Sequence, residues 1–168
     1  MALLSHVWFD RISISPNVPE HTETLETTGK DVTDFIRQEV VKTGIPESRI
    51  IVGGFSMGGA LAMHIGFRLM SKVAGVFALS SFLSHTSSIY HSLKSMQRED
   101  IKTFPPLFMC HGDRDSLVPH EWGKNTFQTL KQLGVDGEFH TIPNALHEMK
   151  EKELLQLYEW INRCLPPM

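Results

Sequence analysis

Ile50-Ile-Val-Gly-Gly-Phe-Ser56-Met-Gly-Gly-Ala-Leu-Ala-Met63 is the stretch that decides how this chain folds. It opens as a β-branched apolar run, passes through Gly54-Phe55-Ser56-Met57-Gly58, and continues as a helix-forming run. That is G-x-S-x-G with a strand before it and a helix after it. A Ser on so sharp a turn holds strained backbone, and the residues two before and two after are expected to crowd it, so only small ones fit. The turn lifts the hydroxyl above the strand's C-terminal end and aims the next helix at it. A plainer reading of the same residues is a Gly-rich turn whose Ser only caps the helix. Phosphate-binding readings fail. No Lys follows the glycines, and glycines at 53, 54, 58 and 59 do not make G-x-G-x-x-G.

The surroundings of this stretch alternate between strand and helix. Residues 1–19 read as irregular, with Pro16 and Pro19 as breakers. A helix is expected from Glu20 to Thr43, with Leu25, Val32, Phe35, Ile36 and Val40 on one face and Gly44 and Pro46 ending it. Arg49–Val52 reads as a short buried strand, Gly58–Met70 as a deeply covered helix, and Val73–Leu79 as a second strand. Ser80–Ser95 is Ser-rich and reads as a loop with at most one helical turn. Leu107–Cys110 and Glu138–Ile142 read as further strands. Glu121–Leu133 is an amphipathic helix stopped by Gly134. The last helix, 149–165, carries Leu154, Leu157, Tyr158, Ile161, Cys164 and Leu165 on one face. Near-continuous apolar strands signal a parallel sheet covered on both faces, wound by right-handed crossovers into an open α/β architecture. With 168 residues and no linker or repeat, one domain spanning 1–168 is expected.

Composition excludes several classes. The 16 basic and 19 acidic residues leave a net charge of −3, with no long run of either sign, so no nucleic-acid partner is expected. No apolar run reaches membrane-spanning length, so no stable membrane insertion is expected. Ala2-Leu3-Leu4 is too short for a secretory signal. Cys110 and Cys164 both fall on apolar faces and read as buried free thiols, which suits the cytosol.

A parallel sheet displays its chemistry on the loops beyond its strands' C-terminal ends. The first strand leads to Ser56, the third to His111-Gly-Asp113-Arg-Asp115-Ser-Leu-Val-Pro119, and the fourth to Ile142-Pro-Asn-Ala-Leu-His147-Glu148. Ser, then Asp, then His is the chain order of an α/β-hydrolase triad, and it favours catalysis over helix capping. His147 would take the Ser56 proton as the hydroxyl attacks a carbonyl, and an acid would hold the imidazole's tautomer. Asp113 and Asp115 compete for that place, and spacing does not separate them. Asp113, just after Gly112, could instead brace the loop. His111 reads as a strand-end packing residue. His64, His85, His91, His120 and His140 carry no supporting context. Metal binding is disfavoured because Glu151 stands where an H-E-x-x-H motif would need its second His. No cofactor is expected. Phe82, Leu83, Leu117 and Leu146 lie on loops of this side and are candidates for an acyl pocket, or for packing among themselves.

Gly53-Gly-Phe-Ser-Met-Gly-Gly59, His111-Gly-Asp, Asp115-Ser-Leu-Val-Pro119 and Asn144-Ala-Leu-His147 resemble the phospholipase/carboxylesterase branch of the α/β-hydrolases, the acyl-protein thioesterases. Val7-Trp-Phe-Asp10 and Ala74-Gly-Val-Phe-Ala-Leu-Ser-Ser81 extend the likeness from about residue 7 to the end. The resemblance implies an α/β-hydrolase fold and cytosolic hydrolysis of esters or thioesters, with acylated proteins or small molecules such as lysophospholipids as substrates. It implies that Asp115, which opens D-x-x-V, is the triad acid, and that the Met57 N–H is one oxyanion-hole donor. The family opens with strands and a His-Gly-rich loop ahead of Trp-Phe-Asp, whereas this chain opens with Met1-Ala-Leu-Leu-Ser-His6. The expectation is therefore a domain shortened at its N-terminus. It would lack a second oxyanion donor, worth on the order of 10²–10³ in rate. It would also expose a sheet edge beside Ser56 that invites self-association. The alternative to an enzyme is a catalytically weak or inactive relative acting by ligand or partner binding. A lipase acting at a membrane surface is disfavoured, since no lid insertion or amphipathic anchor is visible.

Overall fold

The computed structural model describes residues 7–98 and 103–167, so the opening segment Met1–His6 lies outside the described residues. Four apolar runs become parallel strands β1 (Ile51–Phe55), β2 (Gly75–Leu79), β3 (Leu107–Gly112) and β4 (Gly137–Ile142), and they lie side by side in chain order. The helices are α1 (Thr22–Glu39), α2 (Met57–His64), α3 (Ser88–Arg98), α4 (His120–Gln132) and α5 (Glu151–Cys164). The crossovers through α2, α3 and α4 all advance the same way across the sheet. Right-handedness then puts all three on one face.

The core divides accordingly. Val52, Val76, Ala78, Leu107 and Met109 point to the crossover face and pack with α2, Leu93 of α3 and Leu130 of α4. Their neighbours Phe77, Leu79, Phe108 and Cys110 point the other way, against Leu157 and Trp160 of α5. This is the two-residue period of a sheet covered on both sides. Central β3 is buried at every position. β1 is less so. It pairs only with β2 among the described residues, Gly53 is exposed, and an apolar groove of about 490 Å³ runs along it, bounded by Trp8, Val32, Ile36 and Leu61.

Several boundaries depart from the sequence reading, each for a physical reason. Residues 80–95 are not a loop throughout, because α3 covers Ser88–Arg98. Ile89 and Leu93 are fully buried at helical spacing, and that burial outweighs the weak helix propensity of the serines around them. The helix expected up to Thr43 ends at Glu39 and tightens into a 3₁₀ turn at Val41–Thr43, and Phe35 on its expected apolar face is 63% exposed. The helix expected to reach Met70 leaves α geometry after His64 for a π turn at Ile65–Leu69, closed by Met70 N–H donating to the Ile65 carbonyl. The strand expected at Arg49–Val52 is displaced to Ile51–Phe55 and forms a partly open edge. On α5 the buried stripe is Glu153, Leu157 and Trp160, while Leu154 and Tyr158 are exposed. Trp160 sets that rotation: its ring occupies the space a Cβ at Gly75 would need and stacks on Phe108 at 5.5 Å. Cys110 is buried and Cys164 partly so, and both are free.

The irregular segment before α1 is fastened by polar groups. His64, one of the histidines without sequence context, is 1% exposed. Arg68 donates to its Nδ1 at 3.2 Å, which leaves Nε2 to donate to Glu20 at 3.1 Å. The Ser88 N–H donates to the other Glu20 oxygen at 3.2 Å. Burial pushes the Glu20 carboxyl up, but the hydrogen bonds from His64, Ser87 and Ser88 outweigh it and hold it below the ordinary value of 4.5. A carboxylate held lower in the folded than in the unfolded state stabilises the fold above its unfolded pKa and loses that contribution as pH falls through the folded one. Urea midpoints should therefore drop as pH falls below 4.5. Glu20→Gln should lower the neutral plateau and flatten that acid limb. An unchanged limb in the variant would show that Glu20 is not its source.

Candidate active site

Three of the loops at the carboxyl ends of the strands contain a residue in left-handed backbone within two residues of the strand. Ser56 (φ 53°) follows β1, Ser80 (φ 47°) follows β2 and Asn144 (φ 58°) follows β4. Such conformations strain side-chain-bearing residues and persist only where the surroundings hold them. Ser56 is held by its own N–H, which donates to the Leu79 carbonyl at 2.7 Å, and by its carbonyl, which accepts from Gly59 N–H at 3.1 Å. The first bond ties the turn to β2, and the second starts α2.

The glycines around Ser56 are not equivalent. A Cβ at Gly54 would lie 2.4 Å from the Gly58 carbonyl carbon, and one at Gly59 would lie 2.8 Å from Ser81 Cβ. Gly58 has room, since a Cβ there meets nothing nearer than the Trp8 indole nitrogen at 3.5 Å. The steric demand expected at 54 and 58 thus falls on 54 and 59. Met57 is the first residue of α2, so its N–H has no intrahelical partner and is available beside Ser56.

Asp115 and His147 come together across the β3 and β4 loops. His147 Nδ1 donates to Asp115 Oδ2 at 2.8 Å. The Asp115 side chain is fully buried, and its second oxygen accepts the N–H groups of Leu117 (3.0 Å) and Val118 (2.8 Å). Both oxygens of this carboxylate therefore face a donor. Asp113 has a different job: it accepts the Asn144 N–H at 2.7 Å and holds the loop that carries His147. Arg114 N–H donating to Ala145 O at 3.0 Å adds a second tie between the same loops. Phe55 packs on the His147 ring at 4.7 Å between centroids, which places the imidazole beside the residue preceding Ser56. Between Ser56 and His147 themselves no hydrogen bond is formed, as is common before substrate draws such a pair together.

The four apolar candidates separate. Leu83 is buried and lines a cavity of about 260 Å³ between α3 and α4. Phe82 lies against the Trp122 ring at 5.0 Å and lines a small recess with Phe9 and Ala60. Leu117 and Leu146 are 48% and 51% exposed on the loops flanking Asp115 and His147. Sequence reasoning passed over Ser80, whose left-handed backbone would have needed a glycine to announce it. It also passed over Trp122. Among the described residues no group of His, Cys, Asp and Glu side chains is arranged to hold a metal.

Comparison with known proteins shows the family and the fold. The Phospholipase/Carboxylesterase family model matches residues 2–165. The chain is 48% identical over 163 residues to lysophospholipase-like protein 1 of Mus musculus, covering 97% of this chain and 66% of the mouse protein. It is 34% identical to acyl-protein thioesterase 1 homolog 1 of Dictyostelium discoideum, over 95% of this chain and 68% of that protein. The crystal structure of Arabidopsis thaliana SOBER1 superimposes with a TM-score of 0.81 at 30% identity, covering 95% of this chain and 74% of that one. The chain thus spans about two thirds of the length of its curated relatives, and its fold is that of the α/β-hydrolases.

The close approach at Gly54 gives a stability test. Gly54→Ala should cost about 1–3 kcal/mol by forcing backbone apart at the turn. Gly58→Ala should cost less or stabilise by up to about 1 kcal/mol through helix propensity. Chemical denaturation of the two variants reads the difference, and equal losses would contradict the asymmetry.

Proposed function

Since the chain belongs to the phospholipase/carboxylesterase family of α/β-hydrolases, we propose that it is a serine hydrolase that cleaves carboxylic esters or thioesters through Ser56, His147 and Asp115. The observation that carries this reading is the 2.8 Å bond from His147 Nδ1 to a buried Asp115 carboxylate. That bond fixes the imidazole with Nδ1 protonated and leaves Nε2 free as a base.

In the proposed reaction His147 Nε2 removes the Ser56 Oγ proton as the oxygen attacks the substrate carbonyl carbon. The tetrahedral oxyanion receives the Met57 N–H, which the positive end of α2 favours. His147 then protonates the departing alcohol or thiol as the acyl–Ser56 ester forms. Water, deprotonated by His147, attacks that ester and releases the acid and Ser56. Asp115 never takes the proton. It stabilises the imidazolium that appears twice in the cycle. The substrate class that suits this chemistry is an acylated small molecule or an acylated protein, and the reading places the activity in the cytosol. No helix among the described residues is long and apolar enough to cross a membrane. Phe82, Leu117 and Leu146 are the apolar side chains proposed to meet the acyl chain.

Two experiments test the assignment. A fluorophosphonate probe should label the purified chain, and Ser56→Ala should abolish labelling. A cooperative melt without labelling would instead support the binding-protein alternative. Hydrolysis of a short p-nitrophenyl ester should fall on the order of 10⁴-fold in Asp115→Asn, which leaves the wrong imidazole tautomer. Asp113→Asn should lose far less, and equal losses would remove the distinction between the two acids.

A further inference from the structure

His111 was read from sequence as packing, yet its contacts are polar and specific. Its ring is fully buried at the end of β3. Nε2 donates to the Val118 carbonyl at 2.8 Å and lies 3.5 Å from Asp115 Oδ2, the oxygen that accepts His147. Because Nε2 carries the proton, Nδ1 is a bare acceptor, and it is buried without a partner. A space-filling side chain in a core does not leave a ring nitrogen unsatisfied unless something else holds the ring there. The room for that nitrogen comes from α4: a Cβ at Gly123 would stand 2.3 Å from it.

We infer that His111 is a positioning residue for the hydrolytic site, clamping the Asp115–Val118 turn so that Asp115 stays dry and aimed at His147. The inference rests on the reading of Ser56, Asp115 and His147 as a triad. The turn closes on itself through Val118 N–H to Asp115 Oδ1 at 2.8 Å. His111 adds a second hold on the same turn by donating to the Val118 carbonyl. Val118 is thereby gripped at both backbone groups, and Asp115 cannot rotate without breaking one of them. The ring also fills the space beside Oδ2 that water would otherwise occupy. Burial, the largest influence, pushes the His111 pKa down against the pull of the Val118 carbonyl and Asp115, and neighbouring His120 and His147 act in the same direction as burial. The ring therefore stays neutral and adds no second positive charge to compete with the His147 imidazolium.

Three variants test this. His111→Phe keeps a flat ring and removes the N–H. His111→Gln keeps a donor that can reach the Val118 carbonyl. Gly123→Ala pushes on the ring from the far side, at Nδ1, without removing any polar group of the site. For each, the titration midpoint of His147 is read by nitrogen NMR together with the chemical shift of its Nδ1 proton. The kcat and KM of ester hydrolysis are read across pH. In His111→Phe the His147 midpoint should fall, the Nδ1 proton should move upfield, and kcat should drop by about ten- to a hundredfold with KM little changed, the cost of a misplaced catalytic group. Gly123→Ala should shift His147 in the same direction, and His111→Gln should recover most of the loss. The NMR readouts do not need turnover, so they decide the role of His111 even if the wild-type chain hydrolyses nothing. A His147 midpoint and Nδ1 proton unmoved in folded His111→Phe would overturn the inference. So would a loss of kcat that His111→Gln fails to recover.

Discussion

One backbone hydrogen bond, Ser56 N–H to Leu79 O at 2.7 Å, holds the arrangement together. It is the last rung of the β1–β2 pairing, and it is made by a residue already outside the strand with φ 53°. A regular strand would carry Ser56 onward along the sheet. The rung stops the chain instead, and the Gly54–Gly58 approach turns it sharply enough for α2 to start at the next residue. Without that halt the hydroxyl would not stand above the sheet, and the first amide of α2 would not stand next to it.

The second half of the site depends on cross-bracing between loops rather than on any strand. The β3 and β4 loops exchange backbone and carboxylate bonds through Asp113, Arg114, Asn144 and Ala145. The two acids two residues apart therefore divide the work. Asp113 is exposed and grips backbone, while Asp115 is buried and grips the imidazole. That division also explains why spacing could not separate them: both face the same loop, and only burial and reach distinguish their partners.

Much of this was legible because the chemistry sits at strand ends. The four strands, the Ser–Asp–His order and the nucleophile turn all follow from short-range pattern and glycine placement. What escaped was set by partners far away in sequence. α3 is hidden by its serines and declared only by Ile89 and Leu93 meeting the core. The rotation of α5 is chosen by Trp160 finding the hollow over Gly75. The glycine demanded after Ser56 is 59 rather than 58, because Ser81 from the neighbouring strand end occupies that side. His64 looked like a stray histidine and His111 like strand-end packing because their carbonyl and carboxylate partners are not periodic in sequence, although His111 lies only four residues from Asp115.

The two faces of the sheet are unequally covered. α2, α3 and α4 share the larger core, whereas among the described residues the smaller core of Leu79, Phe108, Cys110 and Ile142 is closed by α5 alone. α5 starts at Glu151, four residues after His147, and its first turn is capped through Lys150 and Glu153. Such a helix is a natural unit of sub-global opening, able to lift off while the crossover core stays intact. When it lifts, the loop carrying the imidazole loses its downstream anchor with it. Opening of α5 and loosening of the loop that carries His147 are then coupled, because the two are separated by only three residues of chain.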